Sequence, residues 1–365
     1  MRTFFRLAFL LATTAGLAGP AYLACSADNL DSPRLVEAGT STSDGAVTTT
    51  PASDGAVDAT PPPVPSPCPT SDAGAFTAAG ATCFAFTPID TGEPATGQNA
   101  NEPHYAVRPS TGTVTSLVLF FIGSGGNPSG ATRAGPDKNV YSAAVSTGKA
   151  VLAISYANDV SVGKLCQHDD ACFFPTRQSI ILGGAIPDGG VTADETIVGR
   201  AAVALRFLAA GDPAGGWGTF LTSLDPATPP ATALAWPKII AAGHSQGGGH
   251  AAAIGKLFPV SRVIQFSSTC DSVDGVAATW TDGTTGTWAS DPTLFFGFAA
   301  PTTFTGDAPT GGDVTCPYHT RNWTNLGMKA NHRNNFAETC GATGDTHGES
   351  IKCADNYATW VTLFQ

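Results

Sequence analysis

The chain's most chemically suggestive stretch is Gly243-His244-Ser245-Gln246-Gly247, a serine with a glycine two residues to either side. A serine hydroxyl is a weak nucleophile until it is held clear of its surroundings and aimed at a base. A tight turn from strand into helix does this, provided the flanking positions carry no side chain to clash. The neighbouring sequence has that form. Lys238-Ile239-Ile240-Ala241-Ala242 is an apolar run of buried-strand length, and an Ala-rich run of helix formers begins at Gly248. A helix starting there would also aim free backbone N–H groups, that of Gln246 among them, at a developing oxyanion. A second glycine cluster, Gly123-Ser124-Gly125-Gly126, follows the apolar run Ser116 to Ile122. It is no phosphate loop, because no lysine follows it in the required position and no G-x-G-x-x-G spacing occurs.

These features fix what the remaining elements must do. Ser116 to Ile122, Lys149 to Tyr156, Arg262 to Phe266 and Thr293 to Ala300 are near-continuous apolar runs, as expected of strands buried on both faces. Asp194 to Ala210 has a broad apolar face with acids at its start and reads as a helix. Thr82 to Thr87 and His104 to Arg108 alternate like antiparallel edge strands. Strand and helix alternate, which argues for an α/β fold: a mostly parallel central sheet with helices on both faces. Ligands of such sheets bind outside the carboxyl ends of the strands, where Ser245 and the Gly123–Gly126 loop both fall.

The Gly-His-Ser-Gln-Gly turn in this setting resembles that of the α/β-hydrolase superfamily, in particular its lipases and esterases, over about residues 100–365. That resemblance implies a triad in the chain order serine, acid, histidine, which leaves His319, His332 and His347 as bases. His347 is favoured. It lies in the Gly-rich Gly344-Asp345-Thr346-His347-Gly348, just before a helical stretch from Ala354 to Phe364, where the family's catalytic histidine sits. His332, among Lys329, Arg333 and asparagines, reads as surface. Asp313 opens a turn, Asp313-Val314-Thr315-Cys316-Pro317, similar to the family's Asp-x-x-x-Pro turn, although Pro301 to Gly312 sets it far from the preceding strand. Asp307 and Asp271 are the alternatives. The second oxyanion donor would be the N–H of Ser124 or Gly125, beside that of Gln246. His250, five residues beyond the serine on the elbow helix, should point away and be structural.

The activity this implies is hydrolysis of carboxylic esters, small or polymeric, through an acyl-enzyme, with no metal and no organic cofactor. A peptidase or thioesterase using the same residues is the near alternative, and an inactive hydrolase scaffold that binds a partner is the distant one. His168-Asp169-Asp170 could ligate a metal, but three adjacent polar residues fit a solvated loop better, and no cysteine pair has C-x-x-C spacing.

A net charge of −11 and a pI near 4.9 disfavour nucleic acid or an anionic membrane surface as partner. Residues 1–24 read as a signal peptide, with Arg2 and Arg6 ahead of the apolar Leu7 to Leu17. Tyr22-Leu23-Ala24-Cys25 then resembles a bacterial lipoprotein processing site, with Tyr22 where leucine is usual. The expectation is an exported protein, secreted or anchored at the cell envelope through a lipid on Cys25. Nine cysteines support it, because a lipidated Cys25 leaves eight for disulfides. Cys68–Cys83, Cys166–Cys172, Cys340–Cys353 and Cys270–Cys316 are the natural pairs. Residues 25–67, with Ser-Asp-Gly-Ala-Val occurring at 43 and again at 53, lack the apolar content to offset ordering entropy and read as a linker. The catalytic domain would then span 68–365.

Overall fold

The computed structural model describes residues 64–78, 80–93, 99–130, 138–284, 286–335 and 346–365. The residues read as a signal peptide, Cys25 and most of the stretch read as a linker lie outside these residues. So does Cys340, and with it the predicted Cys340–Cys353 bridge.

Nine strands form one sheet: β1 Ser66–Pro67, β2 Ala81–Phe86, β3 His104–Pro109, β4 Leu117–Phe121, β5 Ala150–Ile154, β6 Ile239–His244, β7 Arg262–Phe266, β8 Phe295–Ala299 and β9 Arg333–Asn335. Their order is β1-β2-β3-β5-β4-β6-β7-β8-β9. The block from β5 to β9 is parallel throughout, and β1, β2 and β3 add antiparallel strands at one edge. This is the expected α/β architecture, and its strand order with a crossover at β5-β4 is that of the α/β-hydrolase fold. β1 falls inside the segment read as linker; it pairs with β2 next to the Cys68–Cys83 disulfide.

Strand alternation sorts the core into two layers. Leu117, Leu119 and Phe121 of β4 face a cluster with α4 Asp170–Leu182, α5 Ile197–Gly211 and α6 Gln246–Leu257. Val118 and Phe120 face a second cluster with α1 Thr70–Ala78, α2 Lys138–Ser146 and α9 Tyr357–Phe364. Two faces each covered by helices explain why these strands read as unbroken apolar runs. Two further helices matter for the site, α7 His319–Asn325 and α8 Thr346–Lys352. Three of the expected disulfides are formed: Cys68–Cys83, Cys166–Cys172 and Cys270–Cys316.

Helix α4 carries no clear amphipathic signal and was not legible in the sequence. In α4 the reason is local: Pro175 lies inside it and Arg177 on its buried side. His168-Asp169-Asp170 is not a bare loop either. Asp169 caps α4 by accepting the Ala171 N–H, while Asp170 accepts the N–H of Thr279 at 3.0 Å. His168 pairs with Asp274 on the surface.

Candidate active site

Ser245 sits between β6 and α6 with φ 54° and ψ −122°, a left-handed backbone conformation unusual for a residue with a side chain. Its N–H continues the sheet pairing to the Phe266 carbonyl at 2.9 Å, so the strand is anchored up to the turn itself. The two flanking glycines are steric necessities. A Cβ on Gly243 would lie 2.4 Å from the Gly247 carbonyl, and one on Gly247 would lie 2.2 Å from the Phe121 oxygen. Helix α6 can therefore start directly against β4 only where both positions lack side chains.

The structure brings Asp313 and His347 together. Asp313 Oδ1 and Oδ2 lie 2.9 and 3.1 Å from His347 Nδ1, and Oδ1 also accepts the Cys316 N–H at 2.9 Å. Asp313 is fully buried. Burial alone would raise its pKa, but the hydrogen bond and charge of His347, with the Cys316 N–H, outweigh it and hold the carboxyl below its ordinary value. Since Nδ1–H must face the carboxylate, the neutral ring carries its lone pair on Nε2. That Nε2 is buried and has no hydrogen-bond partner among the described residues. His347 lies in the first turn of α8, not in the Gly-rich loop expected.

The rival acids are committed elsewhere. Asp271 forms a buried bidentate pair with Arg177 at 2.7 and 2.5 Å and accepts Trp280 Nε1–H at 2.8 Å. Asp307 is exposed at the tip of the 303–311 hairpin. That hairpin is the insertion that separates Asp313 from β8. The rival bases are committed as well. Buried His319 gives Nδ1–H to the Cys316 carbonyl at 2.7 Å, and His332 stacks on Phe296 at 3.8 Å. His332 is thus half-buried packing rather than surface. His250 is buried against Tyr156, as a structural residue should be.

His244, the residue before the serine, links the elbow to His347. Its Nε2–H donates to the His347 carbonyl at 3.0 Å, and the two rings lie 4.7 Å apart. Ser350 Oγ reaches the same carbonyl at 3.3 Å and is itself held by Ser267 Oγ. Complete burial, with the nearby His347 charge adding to it, pulls the His244 pKa down to about 3.

On the side of Ser245 next to the Gly123–Gly126 loop, the Gln246 side chain ties two segments together. Its Oε1 accepts Ser124 Oγ–H at 3.0 Å and the Val162 N–H, at the start of α3 Val162–Cys166, at 2.9 Å. The Gly123 loop lies directly on the elbow, since a Cβ on Gly123 would be 3.2 Å from Ser245 Cβ. Of the two weighed donors, Gly125 is excluded: its N–H is engaged by the Asn158 carbonyl at 3.0 Å. Among the described residues nothing accepts the N–H of Ser124 or of Gln246.

Sequence reasoning missed Arg177. Its guanidinium is fully buried, donates to the Gln246 carbonyl at 3.0 Å and lies where a Cβ on Gly249 would be, 2.4 Å from Cζ. The glycine run after the serine is the only trace this leaves in the sequence. Asp313, Cys316 and His319 lie close enough together to suggest a metal site. The chemistry does not fit one, because Cys316 is in a disulfide and Asp313 is bonded to His347.

No protein-family model matches this chain, and no curated protein does. Among solved structures it is similar to esterase 2 of Thermogutta terrifontis phosphorylated by paraoxon, at 13% identity over 70% of this chain and 81% of that one, TM-score 0.33. Esterase Est22 is 12% identical over 81% and 83% of the two chains, with a TM-score of 0.40. EstE1, a thermostable carboxylesterase cloned from a metagenomic library, is 12% identical over 81% and 95%, with a TM-score of 0.37. At such distances function must be read from the site.

Proposed function

We propose that this chain is a serine hydrolase that cleaves carboxylic esters with Ser245, His347 and Asp313. The observation that carries the reading is the buried Asp313–His347 pair, whose ring presents an unpartnered Nε2 and whose His347 backbone carbonyl is held by His244, the residue next to Ser245. In this mechanism Ser245 Oγ attacks the acyl carbon while His347 Nε2 takes its proton. Asp313 keeps the ring in the required tautomer and stabilises the imidazolium. The N–H groups of Gln246 and Ser124 hold the negative charge that develops on the carbonyl oxygen. His347 then protonates the departing alcohol, and water, activated by the same nitrogen, releases the acid.

The test is a fluorophosphonate label together with p-nitrophenyl ester turnover. Wild type should be labelled and active, and Ser245→Ala should be neither. The Ser245→Ala/His347→Ala double variant should lose no more than the single, because groups acting as one unit are non-additive; the expected loss is on the order of 10³- to 10⁶-fold in kcat. A Ser245→Ala protein that keeps near-normal turnover sinks the proposal.

A further inference from the structure

The loop that supplies the second oxyanion donor is held from behind by one residue. Asn158 lies in the turn after β5 and is fully buried. Its side-chain amide donates to the Gly123 carbonyl at 2.8 Å and to the Gly126 carbonyl at 3.2 Å. Its backbone carbonyl accepts the Gly125 N–H at 3.0 Å. Tyr156 Oη–H adds a bond to the Ile122 carbonyl at 2.6 Å. Two carbonyls converge on one nitrogen, so this amide can face them only with its NH₂ end.

The consequence follows from peptide geometry. In a trans peptide the C=O and the following N–H point in opposite directions, and the only cis bond among the described residues is Ser268–Thr269. Fixing the Gly123 carbonyl on Asn158 therefore turns the Ser124 N–H away from Asn158, and Gly123 itself lies against Ser245 and His244. A loop rich in glycine would otherwise let this peptide rotate, and a rotated peptide presents a carbonyl where the oxyanion must form. Asn158 Oδ1 is buried with no hydrogen-bond partner among the described residues. An amide kept for stability alone would be expected to satisfy both ends, since a buried unsatisfied acceptor is destabilising.

We infer that Asn158 is a positioning residue that locks the Gly123–Ser124 peptide so that the Ser124 N–H serves as oxyanion donor. This rests on the proposed ester-hydrolase reading. Because the donor acts on charge present only in the transition state, the loss should appear in kcat and not in KM. Losing an oxyanion donor outright costs about 10²- to 10³-fold, so Asn158→Ala should lower kcat about 10- to 100-fold with KM within about threefold.

The experiment compares wild type, Asn158→Ala, Asn158→Ser and Asn158→Asp, with Ser245→Ala alongside. Besides kcat and KM, it measures binding of a boronic acid, which becomes a tetrahedral anion on the serine, and of the unreactive amide analogue of the ester. The inference expects boronate affinity to fall with kcat across the folded variants while amide affinity stays unchanged. Asn158→Asp, a carboxylate with no N–H to give, should fall at least as far as Asn158→Ala. Wild-type kcat in any folded Asn158 variant overturns the inference, as does equal loss of boronate and amide binding. If Ser245→Ala keeps its activity, it is the underlying reading that has failed.

Discussion

Acid should destabilise this fold well above the range in which carboxylates titrate, because it buries histidines in their neutral form. His104, His244, His250 and His319 are all buried, and burial is the leading cause that lowers the proton affinity of each. His244 is the one whose size can be worked out, with a folded pKa of about 3 against 6.5 for a free ring. Below pH 6.5 the unfolded chain binds a proton at this ring and the native chain does not, so stability falls as pH falls, by about 1.4 kcal/mol per unit. The window runs from 6.5 down to about 3. Moving from pH 7 to pH 5 therefore costs about 2 kcal/mol through His244 alone, a large part of a typical net stability of about 5–15 kcal/mol.

The depressed Asp313 pKa does not confuse the measurement. Its contribution is present above the unfolded value of about 3.9 and is lost only as pH falls through the lower folded value. Urea unfolding of wild type and His244→Gln at pH 7 and pH 5 provides the test. Glutamine keeps an N–H to offer the His347 carbonyl but does not titrate, so the variant should lose about 2 kcal/mol less on acidification. Equal acid sensitivity in the two proteins would refute the reasoning. A neutral His244 also suits the proposed chemistry: 4.7 Å from the His347 ring, a second cation would oppose the imidazolium that proton transfer must create.

Two further outcomes are expected. Asp313→Asn should fold, because the Cys316 N–H still finds an oxygen there, yet lose about 10⁴-fold in kcat by favouring the wrong His347 tautomer; near-normal turnover would remove Asp313 from the mechanism. The Cys270→Ser/Cys316→Ser variant opens a bridge spanning 46 residues and should lose about 4 kcal/mol in urea unfolding. It should also lose activity under conditions where it stays folded, because the Cys316 N–H anchors Asp313; full activity in the folded variant would show that the turn holds the acid without the bridge.

What could be read in advance divides along a physical line. The central strands, the elbow and the candidate Ser245, His347 and Asp313 were legible because each follows from local pattern: an apolar run, a glycine spacing, a chain order. Asp313 was the hardest of the three, since the 303–311 hairpin pushes it away from β8 in sequence while the Cys270–Cys316 bridge brings its turn back to the end of β7. The supporting residues were not legible because their roles exist only in three dimensions. Arg177 is an ordinary charge in a helix until Gly249 and Asp271 receive it, and Asn158 is an ordinary loop amide until two carbonyls from the glycine loop after β4 turn toward it. The choice between Ser124 and Gly125 illustrates the limit well. Both lie in the same glycine loop, and no periodicity separates them; only the Gly125 N–H bond to Asn158 does, so the residue that disqualifies one donor is the same residue that orients the other.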